Sequence, residues 1–172
     1  MAEITIATTA DLKAIDSLQR REVEAVGFLP ACRYEAEIEN NRRTLLIMRE
    51  NNDPVGFLFW TRGWPVATIQ QIVIRDDARR KERATALVEA AAAEMVNRYG
   101  ITLRCRANLE AVDFWKAIGF EAIRQEEAGR RNIPLWRFYR ALQPSLLLPK
   151  DFVRGMKLRG GQRYGFRTTP DG

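Results

Sequence analysis

The chain has 172 residues, with 28 Lys and Arg against 22 Asp and Glu, so its formal net charge at neutral pH is +6. This length and a hydrophobic content of 46% predict a globular domain with a sizeable core. The chain has no histidine, which excludes Ser-His-Asp and Cys-His catalysis, His-ligated zinc and an imidazole general base. The two cysteines are too few for a disulfide scaffold or a four-cysteine metal site, and no metal is expected.

The hydrophobic pattern contains neither a membrane span nor an export signal. No run of about 18 apolar residues occurs, so no transmembrane helix is expected. Residues 1–6 lack both the basic flank and the apolar region of a signal peptide. We therefore expect the protein in the cytoplasm, or in an equivalent reducing compartment.

The first half of the chain begins with a short strand at 4–6, where isoleucines alternate with polar residues. Apolar residues at helical spacing then predict a helix over 12–26, and a short polar helix is plausible over 33–41. Two apolar runs, 44–49 and 55–61, flank a turn rich in Asn, Asp and Pro and predict a β-hairpin.

The second half alternates strands and helices before it ends in two strands. A strand rich in β-branched residues leads through the charged loop 75–81 to a helix that is closed by Tyr99-Gly100. The apolar stripe of this helix spans 84–95, and the other elements of this half are predicted over 67–74, 102–106, 109–118, 120–125 and 134–141. The whole order, β-α-α-β-β-β-α-β-α-β-β, predicts an α+β (mixed α/β) fold in which helices flank one central sheet.

The most specific motif of the chain spans the second of these helices. It reads Asn108-Leu-Glu-Ala111-Val-Asp-Phe114-Trp115-Lys-Ala-Ile-Gly119-Phe120. Its apolar residues share one helical face, and the glycine suits a left-handed helix end. The motif resembles the segment Asn-x-x-Ala-x-x-Phe-Tyr-x-x-x-Gly-Phe of the GNAT superfamily of N-acetyltransferases, with Trp115 in place of Tyr.

A second motif, from Arg79 to Ala84, is similar to the acyl-coenzyme A loop of that family. The usual form is a strand, then Arg/Gln-x-x-Gly-x-Gly/Ala, then a helix whose N-terminal N–H groups face the pyrophosphate. Arg79 and Ala84 fit the first and last positions, whereas Glu82 replaces the middle glycine and adds a Cβ and a negative charge. The same residues would also suit a charged, well-capped helix start.

The resemblance covers about residues 3–142 and implies a mixed, mostly antiparallel sheet that opens between its fourth and fifth strands. It implies acetyl-CoA as the acyl donor and direct transfer of the acetyl group to an amine in a ternary complex. The residues that it assigns to acetyl-CoA are Ile72, Val73 and Ile74 for the pantetheine, Arg79, Arg80, Lys81, Glu82, Arg83 and Ala84 for the pyrophosphate, and Asn108, Phe114 and Trp115 beside the coenzyme arm.

The general acid of the family is missing from its usual place. Where relatives often have a tyrosine that protonates the departing thiolate, Trp115 offers only an indole N–H, which does not titrate usefully. Tyr139, on the last predicted strand, is the candidate that replaces it. Cys105 alternates with apolar neighbours and is expected to be a buried structural thiol, not a nucleophile.

A general base is also absent from the usual strand. Gln70 and Gln71 stand where many relatives have Glu, and an amide cannot accept a proton. The candidate bases, acting through water, are Glu24, Glu35 and Glu37, of which we select Glu35. A reaction without a dedicated base remains an alternative if the amine arrives neutral.

The last residues differ in composition from the rest, and we divide the chain into a GNAT-like domain, 1–142, and a basic, glycine-rich extension, 143–172. Residues 150–172 contain six basic and two acidic residues, a balance of +4, and interleave arginines with Tyr164 and Phe166. This composition suits docking on nucleic acid or on an acidic protein surface, and equally suits a flexible terminus.

Two functions fit these observations. The first is an acetyl-CoA-dependent N-acetyltransferase that acts on an unidentified amine. The alternative is a binding or assembly module, for example a phage particle component, that keeps the fold without turnover and docks through its basic tail. Glu82, Trp115 and the missing base favour the alternative, whereas the enzymes common among proteins of this fold favour the first.

Overall fold

A computed structural model describes residues 1–79, 81–106, 109–126 and 133–142 and forms one seven-stranded sheet. The strands are β1 (Ala2–Ile6), β2 (Leu45–Glu50), β3 (Asp53–Thr61), β4 (Val66–Ile74), β5 (Gly100–Arg106), β6 (Glu121–Glu126) and β7 (Leu135–Ala141). The helices are α1 (Leu12–Arg21), α2 (Val23–Val26), α3 (Ala31–Glu39), α4 (Lys81–Glu94) and α5 (Ala111–Ala117). None of these helices is long and apolar enough to cross a membrane.

The strands lie in the order β1-β2-β3-β4-β5-β7-β6, and every neighbouring pair is antiparallel except β4 and β5. The predicted α+β fold with a mixed, mostly antiparallel sheet and flanking helices is therefore confirmed. The division at residue 142 stays a prediction, because the extension 143–172 lies outside the described residues.

Two predicted helices end earlier than their sequence pattern indicates. The helix expected over 12–26 divides at Glu22, whose backbone leaves the helical region at φ −118° and ψ 20°. The helix expected to close at Tyr99-Gly100 ends at Glu94. There the Tyr99 N–H donates to the Pro65 carbonyl at 2.9 Å, so this segment already runs beside the sheet.

Alternating side chains give the sheet two apolar faces. On one face, Leu46, Met48 and Leu58 pack with the buried stripe of α4, which includes Leu87 and Val88. On the other face, buried residues of the same strands pack with α1 and α3: Ile15, Leu18, Tyr34, Leu45, Ile47, Phe57 and Phe59. A strand buried on both faces reads as a continuous apolar run, as β2 and β3 do.

A β-bulge interrupts this alternation in β4. Phe59 of β3 pairs with Gln71, but the next residue, Trp60, pairs with Ile69, so Gln70 is an extra residue in β4. Ile69 packs in the α4-side core, and Gln71 turns toward α1 and α3. Because a bulge bends its strand and increases the local twist, β4 turns away from its neighbour here.

The parallel pair β4–β5 separates at this bulge. The two strands pair at only three positions, from Val66↔Gly100 to Thr68↔Thr102. Beyond Thr68, the edge of β4 that faces away from β3 has no register partner in the described part of β5. The sheet is therefore open between its fourth and fifth strands.

Candidate functional site

A cleft of about 1420 Å³ lies where β4 and β5 separate. Its walls come from both strands, from α2 and α3 on one side, and from α5 on another. The start of α4 and the middle of β7 complete the lining. The cleft thus combines an open strand edge with the ends of several helices.

The strand edge carries the three residues that the resemblance assigns to the pantetheine. Ile72, Val73 and Ile74 all line the cleft. Ile72 and Ile74 pair on their other side with Leu58 and Gly56 of β3, which fixes the backbone of β4 in place. A rigid strand edge of this kind can hydrogen-bond the amides of an extended ligand, as an added strand would.

The loop after β4 brings only part of its predicted residues to the cleft. Arg79 and Ala84 line it, whereas Glu82 and Arg83 do not. Glu82 is exposed in the first turn of α4. Arg80 and the side chain of Lys81 lie outside the described residues.

Arg79 is held by three oxygen atoms on two sides of the cleft. Its Nε donates to the Ile74 carbonyl at 3.2 Å, and its Nη2 lies 3.0 Å from Asp76 Oδ1. The same Nη2 contacts Oε1 of Glu22, at the break between α1 and α2. About half of the Arg79 side chain remains exposed, so an anionic ligand can still reach the guanidinium.

Arg83 has a different role from the one that the loop motif suggests. Its guanidinium forms two hydrogen bonds of 2.6 Å with the Glu50 carboxylate, and it also donates to the Ala78 carbonyl. Both partners are satisfied within the protein, and the arginine is only 18% exposed. Arg83 therefore fixes the loop to the end of β2.

Aromatic side chains form the α5 wall of the cleft. Trp115 is 4% exposed and packs edge-on between Phe114, at 5.0 Å, and Phe120, at 5.2 Å. Phe114 and Trp115 both line the cleft, as the resemblance implies. Asn108, the first residue of the same motif, lies outside the described residues.

The candidate acid, Tyr139, lies outside the cleft lining, and Cys105 has the buried environment expected of a structural thiol. Tyr139 rests against Gly100 and does not line the cleft, and among the described residues its buried hydroxyl has no hydrogen-bond partner. Burial raises the pKa of this hydroxyl. Cys105 does line the cleft, but burial raises the pKa of its thiol to about 11, which leaves very little thiolate at neutral pH.

The three carboxylates proposed as bases lie away from the cleft lining. Glu35 is exposed on α3, and Glu24 is exposed on α2. Glu37 is buried, where it accepts hydrogen bonds from Thr44 at 2.7 Å and Arg42 at 2.9 Å. The carboxylates that do line the cleft are Glu22, Glu110 and Asp113. The sequence does not predict that Glu22 lines the cleft, because the direction of its side chain depends on the break between α1 and α2.

The two glutamines of β4 have opposite environments. Gln70 is exposed and donates to the Thr61 hydroxyl at 3.1 Å. Gln71 is 3% exposed, and its side-chain oxygen accepts from the Tyr34 hydroxyl. Its amide donates to the Gly27 carbonyl at 3.3 Å, so Gln71 ties β4 to the segment after α2.

Gln19 extends this buried network to α1. Its side-chain oxygen accepts from the Leu29 N–H at 3.0 Å, and its amide donates to the Leu29 carbonyl at 2.6 Å. The Tyr34 hydroxyl lies 2.9 Å from the same Gln19 oxygen, and burial raises the pKa of that hydroxyl. The network, Gln19, Tyr34 and Gln71, therefore holds the wall formed by residues 26–29 against the sheet.

Arginines dominate the part of the cleft near β5 and β7. Arg104 pairs in register with Arg137, which is buried and bound to Glu126 at 2.8 Å. Burial alone would raise the pKa of Glu126, but hydrogen bonds from Arg137 and Arg124 hold it below its ordinary value. Arg106 donates to the Glu24 carbonyl.

Two further arginines of the cleft are free to meet a ligand. Arg33, on α3, and Arg104 are exposed and line the cleft. Neither pairs with a carboxylate in the part of the chain that the structure describes. This end of the cleft is therefore suited to a negatively charged group.

Comparisons with solved structures identify the fold. The chain is similar to Ard1 from Thermoplasma volcanium, with a TM-score of 0.72 and 15% identity over 83% of this chain and 98% of that one. It is similar to the ribosomal-protein-S18-alanine N-acetyltransferase from Escherichia coli, with a TM-score of 0.68 and 19% identity over 86% and 100%. It is also similar to yncA from Salmonella typhimurium with its cofactor acetyl-CoA, with a TM-score of 0.70 and 16% identity over 87% and 98%.

The sequence itself identifies the family. No curated protein matches the chain significantly. The acetyltransferase (GNAT) domain family, however, matches residues 15–139, which include the cleft between β4 and β5. The chain therefore belongs to the GNAT acetyltransferase family.

Proposed function

We propose that the protein is an acetyl-CoA-dependent N-acetyltransferase that transfers the acetyl group directly to an amine. The observation that carries this proposal is the cleft between β4 and β5, which joins an open strand edge to the start of α4. Solved structures of similar fold that hold acetyl-CoA or CoA include yncA and the NatC complex.

The residues present fit this coenzyme. The edge of β4 at Ile72, Val73 and Ile74 can pair with the amides of the pantetheine. Arg79 and the N-terminus of α4, a helix of 14 residues, can attract the phosphates. When bound, acetyl-CoA would supply the activated acetyl thioester.

The side chains of the cleft support transfer without an acyl-enzyme. Cys105 is a weak nucleophile because burial raises its pKa to about 11. Gln70 and Gln71 cannot accept a proton, and Trp115 cannot donate one usefully. We therefore infer that the amine would attack the thioester in its neutral form, that the coenzyme would leave as a thiolate carrying the C–S electron pair, and that solvent would take the proton from nitrogen and protonate the thiolate.

Coenzyme binding tests this proposal directly. We expect calorimetry to show micromolar binding of acetyl-CoA, and we expect Arg79→Ala to weaken it about tenfold or more, as for a lost charge-assisted hydrogen bond. Arg20→Ala is the matched control, since Arg20 pairs with Asp16 on the surface of α1 and does not line the cleft. No binding at millimolar acetyl-CoA would overturn the proposal and favour the module without turnover.

The loop motif leads to a second prediction about coenzyme binding. Because Glu82 lies in the first turn of α4, its carboxylate opposes a bound pyrophosphate, and Glu82→Gln should tighten acetyl-CoA binding several-fold, with the larger gain at low salt. Glu82→Gly should change affinity in the same direction. Glu89→Gln, at an exposed position of the same helix, should leave affinity unchanged. Weaker binding after Glu82→Gln would refute this role of the charge.

The charge of the cleft predicts the kind of amine that is acetylated. Since Arg33 and Arg104 lack carboxylate partners in the described chain, we propose that the acceptor carries a negative group. O-phosphoethanolamine should be a better acceptor than ethanolamine, by about tenfold in kcat/KM. Arg104→Gln should remove this preference and leave the rate with ethanolamine unchanged. Equal rates for the two amines in the original protein would contradict it.

A further inference from the structure

A second cavity, of about 310 Å³, lies apart from the cleft. It is enclosed by the turn between α3 and β2, the end of β3, and the segment that joins α4 to β5. The residues that line it differ from all those that line the cleft. Any ligand in this cavity would therefore occupy a separate site.

The cavity has an excess of positive charge. Four arginines line it, Arg42, Arg43, Arg62 and Arg98, and Glu94 is the only carboxylate among the described residues of its lining. Arg43 binds both oxygens of Glu94, at 2.7 and 2.9 Å, and Arg42 pairs with Glu37 at 2.9 Å. Two of the four arginines then remain without a carboxylate partner in the described chain.

These two arginines are Arg62 and Arg98. No ion pair joins either of them to a carboxylate within the described chain. Arg98 uses its Nη1 to donate to the Val96 carbonyl at 3.3 Å. The pKa of Arg98 is lowered, first by burial and then by repulsion from Arg62, so the two cations lie close enough to disfavour each other.

Two buried donors at the cavity also lack acceptors within the described residues. Trp60 lines the cavity and is only 2% exposed, and no acceptor in the described chain meets its indole Nε1. The Nε of Arg98 is buried and has no acceptor there either. Buried donors of this kind are rare in folded proteins, and each calls for an acceptor.

The backbone around the cavity is unusual as well. Asn41, Arg43 and Asn97 have positive φ angles of 49°, 55° and 62°. Asparagine adopts this left-handed conformation readily, but arginine does so at a cost. Strained backbone of this type is concentrated at binding sites, and here it places Arg43 against Glu94 at the cavity wall.

We propose that this cavity binds an oxyanion, the phosphate or carboxylate group of a small ligand, between Arg62, Arg98 and the indole N–H of Trp60. An oxyanion would neutralise the repulsion between the two arginines and accept the unpartnered hydrogen bonds. Guanidinium groups match such anions by presenting parallel N–H donors. The site lies outside the cleft, so the proposal does not depend on acetyl transfer.

The indole N–H of Trp60 provides a readout that is specific to this site. We would follow its NMR resonance, assigned with Trp60→Phe, while methyl phosphate or sodium acetate is added to the full chain at constant ionic strength. We expect a saturable shift with at least one of the two anions, and the stronger ligand identifies the phosphate or the carboxylate as the group recognised. Sodium chloride at the same ionic strength should produce no saturable shift.

Variants complete the test. Arg62→Gln and Arg98→Gln should each raise the apparent Kd about tenfold, as expected for a lost charge-assisted hydrogen bond. Arg104→Gln, in the cleft, should leave the titration unchanged, and dispersed amide resonances would show that each variant is folded. The proposal would be overturned if neither anion shifted the Trp60 resonance, or if the same saturable shift occurred in the double variant Arg62→Gln and Arg98→Gln.

Discussion

Replacing Gln71 with leucine is expected to lower the free energy of unfolding by about 2–3 kcal/mol. The amide of Gln71 reaches the carbonyls of Gly27 and Val26 at 3.3 and 3.5 Å, and its oxygen accepts from Tyr34. Leucine has a similar volume but no polar atoms, so the Gly27 and Val26 carbonyls would lose this donor, and the Tyr34 hydroxyl would keep only the Gln19 oxygen. Loss of the network should also release the wall at residues 26–29 and weaken acceptor binding.

Its neighbour in sequence supplies the control. Gln70→Leu changes the same side chain at an exposed position, where a single hydrogen bond of 3.1 Å to Thr61 is lost. Surface changes of this kind usually alter stability by less than about 0.5 kcal/mol. Urea unfolding of the two variants measures the difference directly. Equal losses of stability would show that the buried network contributes little.

Replacing Gly56 with alanine is expected to destabilise the protein by about 3 kcal/mol. Gly56 lies in β3 opposite Ile74, and an added Cβ would come within 2.7 Å of both the Val73 carbonyl oxygen and Ile74 Cδ1. The carbonyl belongs to a central strand and cannot move without disturbing the sheet. Thermal or urea unfolding should detect the loss, and coenzyme affinity should fall too, because Val73 and Ile74 line the cleft.

A second substitution separates the two clashes. Ile74→Val shortens the side chain but leaves the Val73 carbonyl in place, so the double variant with Gly56→Ala should stay strongly destabilised. At Gly100 the situation differs, because the three atoms nearest to an added Cβ all belong to the Tyr139 side chain. The cost of Gly100→Ala should therefore be relieved by Tyr139→Ala. Recovery of Gly56→Ala by Ile74→Val would show that backbone contact is not the cause.

The fold could be predicted from local patterns because most elements have a clear period. The apolar runs of β2 and β3 and the stripe of α4 each specify their own geometry, and helix–strand order then limits the architecture. The bulge in β4 is not predicted by these local patterns. Gln70 and Gln71 are identical in sequence, and only the pairing of β4 with Phe59 and Trp60 decides which is buried.

The residues that contribute their backbone to the cleft could be predicted from the sequence. The direction of long side chains could be predicted less well. Ile72, Val73 and Ile74 line the cleft because a strand edge follows directly from the element that contains it. Arg79 and Arg83 are four residues apart, yet one faces the cleft and the other binds Glu50. That choice depends on a carboxylate 33 residues away, which no local motif records.

The second cavity also could not be predicted from local sequence, because residues far apart in the chain line it. Its lining comes from three separate parts of the chain, near residues 42, 61 and 97. None of these segments has a recognisable motif, and each arginine alone resembles an ordinary surface cation. Only the fold brings Arg62 close to Arg98 and buries Trp60 with no acceptor for its indole N–H in the part of the chain that the structure describes.

The opening of the sheet between β4 and β5 depends on the one extra residue, Gln70, that β4 contains relative to β3. A chain that lacked this one residue would keep Gln71 opposite Phe59 and Ile69 opposite Trp60 in unbroken alternation, and it would lose the local bend in β4. β4 and β5 would then be free to continue their parallel ladder beyond Thr68, and the sheet would close over the cleft. We therefore expect a single-codon deletion at Gln70 to close the opening between β4 and β5, whereas conservative substitutions at Gln70 should leave it intact.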